Sequence, residues 1–156
     1  GFSISAGLKE GGTGDDGSIL GIGYTVEAGS TTVALSMDTY SKGTTDATSI
    51  GAVVTAGDFV LTLASNNEET STYDRTGDAM GVTYAVSDTL SVQAYSGTTD
   101  DSTNANYKIT DTGIGATYTI TPGLTVSITN NSVEATDDNG AKTTTDGTAL
   151  ALNVTF

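Results

Sequence analysis

Ile114-Gly115-Ala116-Thr117-Tyr118-Thr119-Ile120 runs into Thr121-Pro122-Gly123 and out again as Leu124-Thr125-Val126-Ser127-Ile128-Thr129. Both limbs alternate with period two. Ile114, Ala116, Tyr118 and Ile120 share one side, and Gly115, Thr117 and Thr119 share the other. Leu124, Val126 and Ile128 likewise oppose Thr125, Ser127 and Thr129. Successive side chains of a strand point to opposite faces, so the alternation marks two strands with one apolar and one small polar face. Pro-Gly between them supplies a preset φ and then a position tolerant of φ > 0, the chemistry of a tight turn. This stretch is therefore a β-hairpin.

The same unit recurs along the chain. Leu20–Val26, Ile50–Ala56, Met80–Val86 and Ile114–Ile120 share an apolar-Gly start, and Leu150–Phe156 repeats it with Ala in place of Gly. Between them lie Phe2–Leu8, Thr31–Tyr40, Asp58–Ser65, Thr89–Ser96 and Leu124–Asn130, which also alternate. Short turns are expected at 28–30, 57–58, 87–88 and 121–123, and long polar loops at about 9–17, 41–47, 66–77, 97–111 and 131–147. Short and long connections in alternation are the rhythm of an antiparallel up-and-down meander. The expectation is all-β, with ten strands of about nine residues, the length that crosses a bilayer when tilted.

Composition narrows the function. Five Lys and Arg stand against nineteen Asp and Glu, a formal net charge of −14, whereas nucleic-acid binding needs a basic footprint. There is no Cys and no His, which removes disulfides, thiol catalysis, zinc-thiolate sites and a Ser-His-Asp triad together. No apolar stretch nears the ~20 residues of a membrane helix. No charged-then-apolar leader stands before Gly1, so any signal peptide is expected to have been removed. The reading is not enzymatic, without a cofactor and without nucleic acid.

A soluble sheet would bury its apolar face in a protein core, and such cores usually carry large aromatic payload. This chain has three Phe and no Trp. Its cations, Lys9, Lys42, Arg75, Lys108 and Lys142, fall in or beside the expected loops. The charges read as lying inside strands are Glu27 and Asp38, both of polar-face parity. Hydrocarbon demands such sorting and water does not.

At this point the chain resembles Gram-negative porins, most closely those of the alphaproteobacterial general type. The resemblance rests on the repeated Gly-x-x-Tyr strand, as in Gly115-Ala116-Thr117-Tyr118, and on the strand that follows the Pro-Gly turn. It rests most on Leu150-Ala151-Leu152-Asn153-Val154-Thr155-Phe156, which looks like the family's barrel-assembly signal at Leu150, Leu152, Val154 and Phe156. The resemblance implies a transmembrane β-barrel in the bacterial outer membrane, surrounded by lipid, passing small hydrophilic solutes and compatible with a homotrimer. Family members have about sixteen strands in roughly twice the residues. Residues 1–156 are thus a single barrel domain or the C-terminal part of one. The mostly small inward set (Ser3, Ser5, Gly21, Gly23, Gly51, Gly81, Gly115, Ser127, Ala151) would underfill a narrow barrel and suits a wide lumen.

Strand parity nominates Glu27, Asp38, Tyr40, Gln93 and Tyr95 as pore-lining. It nominates Phe2, Tyr24, Phe59, Tyr84, Tyr118 and Phe156 as an interfacial aromatic girdle. Gly11–Gly17 is one defective copy of a calcium-binding nonapeptide, and Asp137-Asp138-Asn139-Gly140 lacks the later ligands of an EF-hand loop. Asp15, Asp16, Asp100, Asp101, Asp137 and Asp138 remain weak candidates for holding Ca²⁺ or Mg²⁺ on the acidic outer loops. Two rival functions stay open: a non-conducting structural or adhesive outer-membrane barrel that displays loops, and a secreted soluble β-protein that binds a surface or Ca²⁺.

Overall fold

A computed structural model describes residues 1–9 and 16–155. Phe156 and Asp15 lie outside the described residues. The chain forms ten antiparallel strands in up-and-down order. They are β1 (Phe2–Lys9), β2 (Gly17–Ala28), β3 (Thr31–Lys42), β4 (Thr45–Ala56), β5 (Phe59–Glu69), β6 (Asp74–Ala85), β7 (Leu90–Asp101), β8 (Asn104–Thr121), β9 (Leu124–Thr136) and β10 (Lys142–Val154). Each strand pairs with its sequence neighbours, and among the described residues β1 and β10 do not pair with each other.

The expected order and pairing are present, but every strand after β1, which has eight residues, is longer than nine. Most have eleven to thirteen, and β8 has eighteen. Four of the five expected long loops shrink to the short connections 43–44, 70–73, 102–103 and 137–141. The physical reason lies in their composition. Beyond the apolar rows no face needs hydrophobic residues, so the alternation that announces a strand vanishes. Thr, Ser and Asn nonetheless keep the ladder hydrogen bonds, and β-branched Thr favours extended backbone. Contrary to expectation, Glu68, Asp78, Asp101, Asp111 and others also lie within strands, so Glu27 and Asp38 are not the only charges there.

The register sorts the sheet into two faces. Ile22, Met37, Ile50, Leu61, Val82, Ile128 and Leu150 lie on one face, and Gly21, Asp38, Ser49, Asn66 and Gly77 lie in one line on the other. No described hydrophobic residue is buried. Ile4, Ile50 and Ile114 each expose more than half their surface, at 65%, 55% and 64%. An apolar face of ten strands left bare is the opposite of a water-soluble sandwich, whose apolar face is its core.

Candidate functional site

The polar face is the site. Its floor is small: Gly21, Gly23, Gly51, Gly77, Gly81, Gly97, Gly113 and Gly115 all occupy it. Close approach explains several of them. A Cβ on Gly51 would stand 2.7 Å from the Ser36 hydroxyl, and one on Gly21 would collide with the Asp38 carboxylate and the Ser5 hydroxyl. Glycine here lets neighbouring polar side chains lie down along the wall.

All five residues nominated by parity fall on this face. Glu27 faces Thr32, Asp38 lies between Gly21 and Ser49, and Tyr40 lies between Ile19 and Ala47. Gln93 and Tyr95 are neighbours on β7, facing Gly115 and Gly113 of β8. The structure does not gather the five into one cluster, because they spread from β2 to β7. The register adds Glu68, Asp101 and Asp111 to the same face, with Lys42 and Arg75 as its described cations. Sequence periodicity does not find them, because past the apolar rows their segments show no alternation and read as loops. The signal was available for Asp111, which shares parity with Gly113 and Gly115.

With a two-faced meander and an exposed apolar face established, comparison with known proteins decides the family. The family model described as Gram-negative porin matches residues 1–141. The chain belongs to the Gram-negative porins. Its place is accordingly the bacterial outer membrane. No curated protein matches it. Among solved structures it is similar to OccAB2 of Acinetobacter baumannii, with TM-score 0.77 and 9% identity over 98% of this chain and 51% of that one. It is similar to OccK1 (OpdK) of Pseudomonas aeruginosa, with TM-score 0.73 and 11% identity over 89% and 48%. OmpT of Vibrio cholerae gives TM-score 0.67 and 14% identity over 94% and 58%. The porin chain thus spans about half the length of the structures it matches.

Where the porin sheet passes beyond its apolar rows, one polar cluster closes the rim. Arg75, the only Arg of the chain, lies between the rings of Tyr73 and Tyr107, 4.3 and 4.8 Å from their centroids. Its Nε donates to Asp101 Oδ2 at 3.3 Å, and Asp101 is 7% exposed. Thr103 donates its N–H and its hydroxyl to Asp101 Oδ1, at 3.0 and 2.6 Å. Tyr73 donates its hydroxyl to Glu68 at 2.8 Å, and Ser102 donates to Asp74 at 2.8 Å. The cluster ties connection 70–73 to connection 102–103.

Its electrostatics set a pH window. Hydrogen bonds from Thr103, reinforced by Arg75, hold the Asp101 carboxyl below its ordinary 3.8. That contribution is complete above 3.8 and is lost as pH falls through the lowered value. The Tyr73 phenol is held above its ordinary 10.0, first by its hydrogen bond to Glu68 and then by desolvation. That contribution is complete below 10.0 and is lost as pH rises through the raised value. The rim should therefore be tightest between 3.8 and 10.0. Amide protection at 70–73 and 102–103, taken relative to the intrinsic exchange rate at each pH, should fall on either side of this window, and at neutral pH in Arg75→Ala. Constant protection from acid to neutral pH in the wild type would remove the role given to Asp101.

Asp15 lies outside the described residues, and the other nominated metal ligands are not brought together. Among the described residues no three carboxylates gather around a metal position. Asp101 binds Arg75, and Asp100 lies 3.5 Å from Lys108. Asp137 accepts the N–H groups of Asn139 and Ala141, both at 2.9 Å, which is the bonding of a turn. Asp16 stands just before β2, and Asp138 lends its carbonyl to Asn106 at 3.0 Å.

The five described girdle candidates, Phe2, Tyr24, Phe59, Tyr84 and Tyr118, lie on the apolar face, and Phe156 lies outside the described residues. Phe2 faces Tyr24, Tyr118 faces Leu90, and Phe59 stacks on Tyr84 with centroids 4.5 Å apart. Leu150, Leu152 and Val154 share that face on β10, exposed by 75%, 64% and 50%.

Proposed function

We propose that the ten strands form part of the wall of a water-filled outer-membrane channel through which small hydrophilic solutes and ions diffuse, with cations preferred and no bond made or broken. The observation that carries this is the pairing of a bare apolar face with a polar face of glycines, hydroxyls and carboxylates. Lipid suits the first and water the second. In this reading Glu27, Asp38, Tyr40, Gln93 and Tyr95 line the lumen, and the aromatic residues of the apolar face sit at the membrane interface. Depth-dependent quenching of the tyrosines by brominated lipids reads that last placement. A homotrimer belongs to the same proposal, and cross-linking in membranes reads it.

The cation preference follows from the charges. Among the described side chains of the polar face, Glu27, Asp38, Glu68 and Asp111 are offset by Lys42, while Arg75 is already paired with Asp101. Fixed carboxylates on a low-dielectric wall concentrate cations and repel anions. Screening over about 8 Å at physiological salt keeps the effect near the wall and weakens it as salt rises. Under a KCl gradient in a planar bilayer, the wild type should reverse on the cation side. The Glu27→Gln, Asp38→Asn double variant should move toward the non-selective potential. Anion preference in the wild type would sink the charge argument, and the absence of any conductance would favour a structural barrel.

A further inference from the structure

On the polar face of β5–β8 two adjoining hollows of about 310 and 180 Å³ share Ala64, Ala79, Gly97 and Asp111. The floor is low because the register places alanines and glycines side by side: Ala64 faces Ala79, and Ala79 faces Gly97. One border is aromatic. Tyr95 faces Gly113, and a Cβ on Gly113 would lie 2.5 Å from the Tyr95 ring carbons. The ring therefore lies across Gly113, and any larger residue there would lift it away.

The other border is a carboxylate. Asp111 shares parity with Gly113, two residues along the same strand, and faces Gly97 on β7 and Val133 on β9. Neither register neighbour offers a side-chain donor. Asp111 Oδ1 is closed off from solvent and has no hydrogen-bond partner among the described residues. The Asp111 side chain as a whole is half-buried and lines both hollows, so a solute seated there meets the carboxylate, and its unpartnered oxygen gains from any small shift that brings it a donor. The geometry is one of unmet demand: an anionic acceptor and an aromatic ring beside a floor of methyl groups and bare backbone.

We propose that this hollow is a binding site for a small solute carrying a primary ammonium group. Such a group donates N–H bonds to the carboxylate, and charge-assisted bonds of this kind are roughly twice as strong as neutral ones. Its positive charge is also attracted by an adjacent ring face. A quaternary ammonium keeps the charge but has no N–H to give Asp111. A carboxylate solute is repelled, and an alcohol of equal size gains only a neutral bond. The site rests on the channel reading, since it needs a polar face open to solutes, and it makes that channel selective among cations.

The test uses the full chain in detergent micelles and equilibrium dialysis with n-propylammonium, tetramethylammonium, n-propanol and propionate. Saturable binding of n-propylammonium, at least tenfold tighter than any of the other three, is expected. Asp111→Asn should weaken it at least tenfold. Gly113→Ala, which leaves every charge in place and displaces the Tyr95 ring, should weaken it severalfold and serves where the first variant folds poorly. Equal affinity for n-propylammonium and n-propanol, or binding unchanged in both variants, overturns the site. Conductance in planar bilayers separates the two readings. A conducting protein that binds no n-propylammonium loses the site and keeps the channel. A protein that binds it without conducting keeps the site and loses the channel.

Discussion

In lipid vesicles, Val82→Arg should lower folding stability by about 2–4 kcal/mol, the cost of an Arg on the lipid face of a barrel near mid-membrane. That is a roughly 30- to 700-fold loss in the ratio of folded to unfolded protein. Val82 lies on the apolar face of β6, with Leu61 on one side and Ala94 on the other in register, and it is still 38% exposed. No protein layer covers it, so hydrocarbon is the medium into which the guanidinium would be carried. The adjacent Thr83 faces Val60 and Gln93 on the polar side. Thr83→Arg should therefore cost little, because water on that side solvates the charge. Urea titrations of the two variants in the same vesicles make the comparison. Equal costs would mean that the faces do not divide lipid from water, and a larger cost at Thr83 would mean that they are reversed.

The face assignment on which that contrast depends was legible in the sequence because the two media ask for different residues at every second position. Where both media are present, Leu61 and Thr62 or Val82 and Thr83 tell the faces apart one by one. Past the hydrocarbon the demand ends on both sides of the sheet. Thr98-Thr99-Asp100-Asp101 and Lys108-Ile109-Thr110-Asp111 then read as loop although they continue β7 and β8. Nothing in a polar run distinguishes a strand in water from a coil in water, since the ladder that orders it is made by backbone groups common to both. The rim cluster and Asp111 were lost with those segments.

Register was illegible for a different reason. That Tyr95 lies over Gly113 depends on which residues of β7 and β8 come opposite each other. The register between them shifts at Asp100/Asp101, next to connection 102–103. A one-residue difference in that connection would bring a different residue opposite Tyr95 and turn the faces over. Parity alone puts Tyr95 and Gln93 on the same face as Gly113 and Gly115, as the register does. It gave no means of seeing that one of them borders a hollow with an unsatisfied carboxylate on its far side.

The turn between β8 and β9 was read from Pro122-Gly123, and its structure implies a large local effect. Gly123 has φ +84, as the third position of a Pro-Gly type II turn requires. A side chain in that region crowds its own backbone, at roughly 1–2 kcal/mol. Gly123 also has a specific neighbour. A Cβ there would stand 2.7 Å from the Thr155 carbonyl oxygen, while Gly123 O accepts the Thr155 N–H at 2.8 Å. A β-branched residue must therefore either strain the turn or push the end of β10 away and break that hydrogen bond. Gly57 is the natural control, because it has φ +58 in the β4–β5 turn and no atom within 4 Å of a built Cβ. Gly57→Val should show the backbone cost alone. Gly123→Val should exceed it, reaching about 1–3 kcal/mol in total as strained positions do, and should accelerate amide exchange at Thr155. Urea midpoints for the two variants, with exchange measured at that amide, decide the matter. Equal destabilisation with an unchanged Thr155 amide would mean that the turn yields without disturbing β10, and the contact would carry no energy.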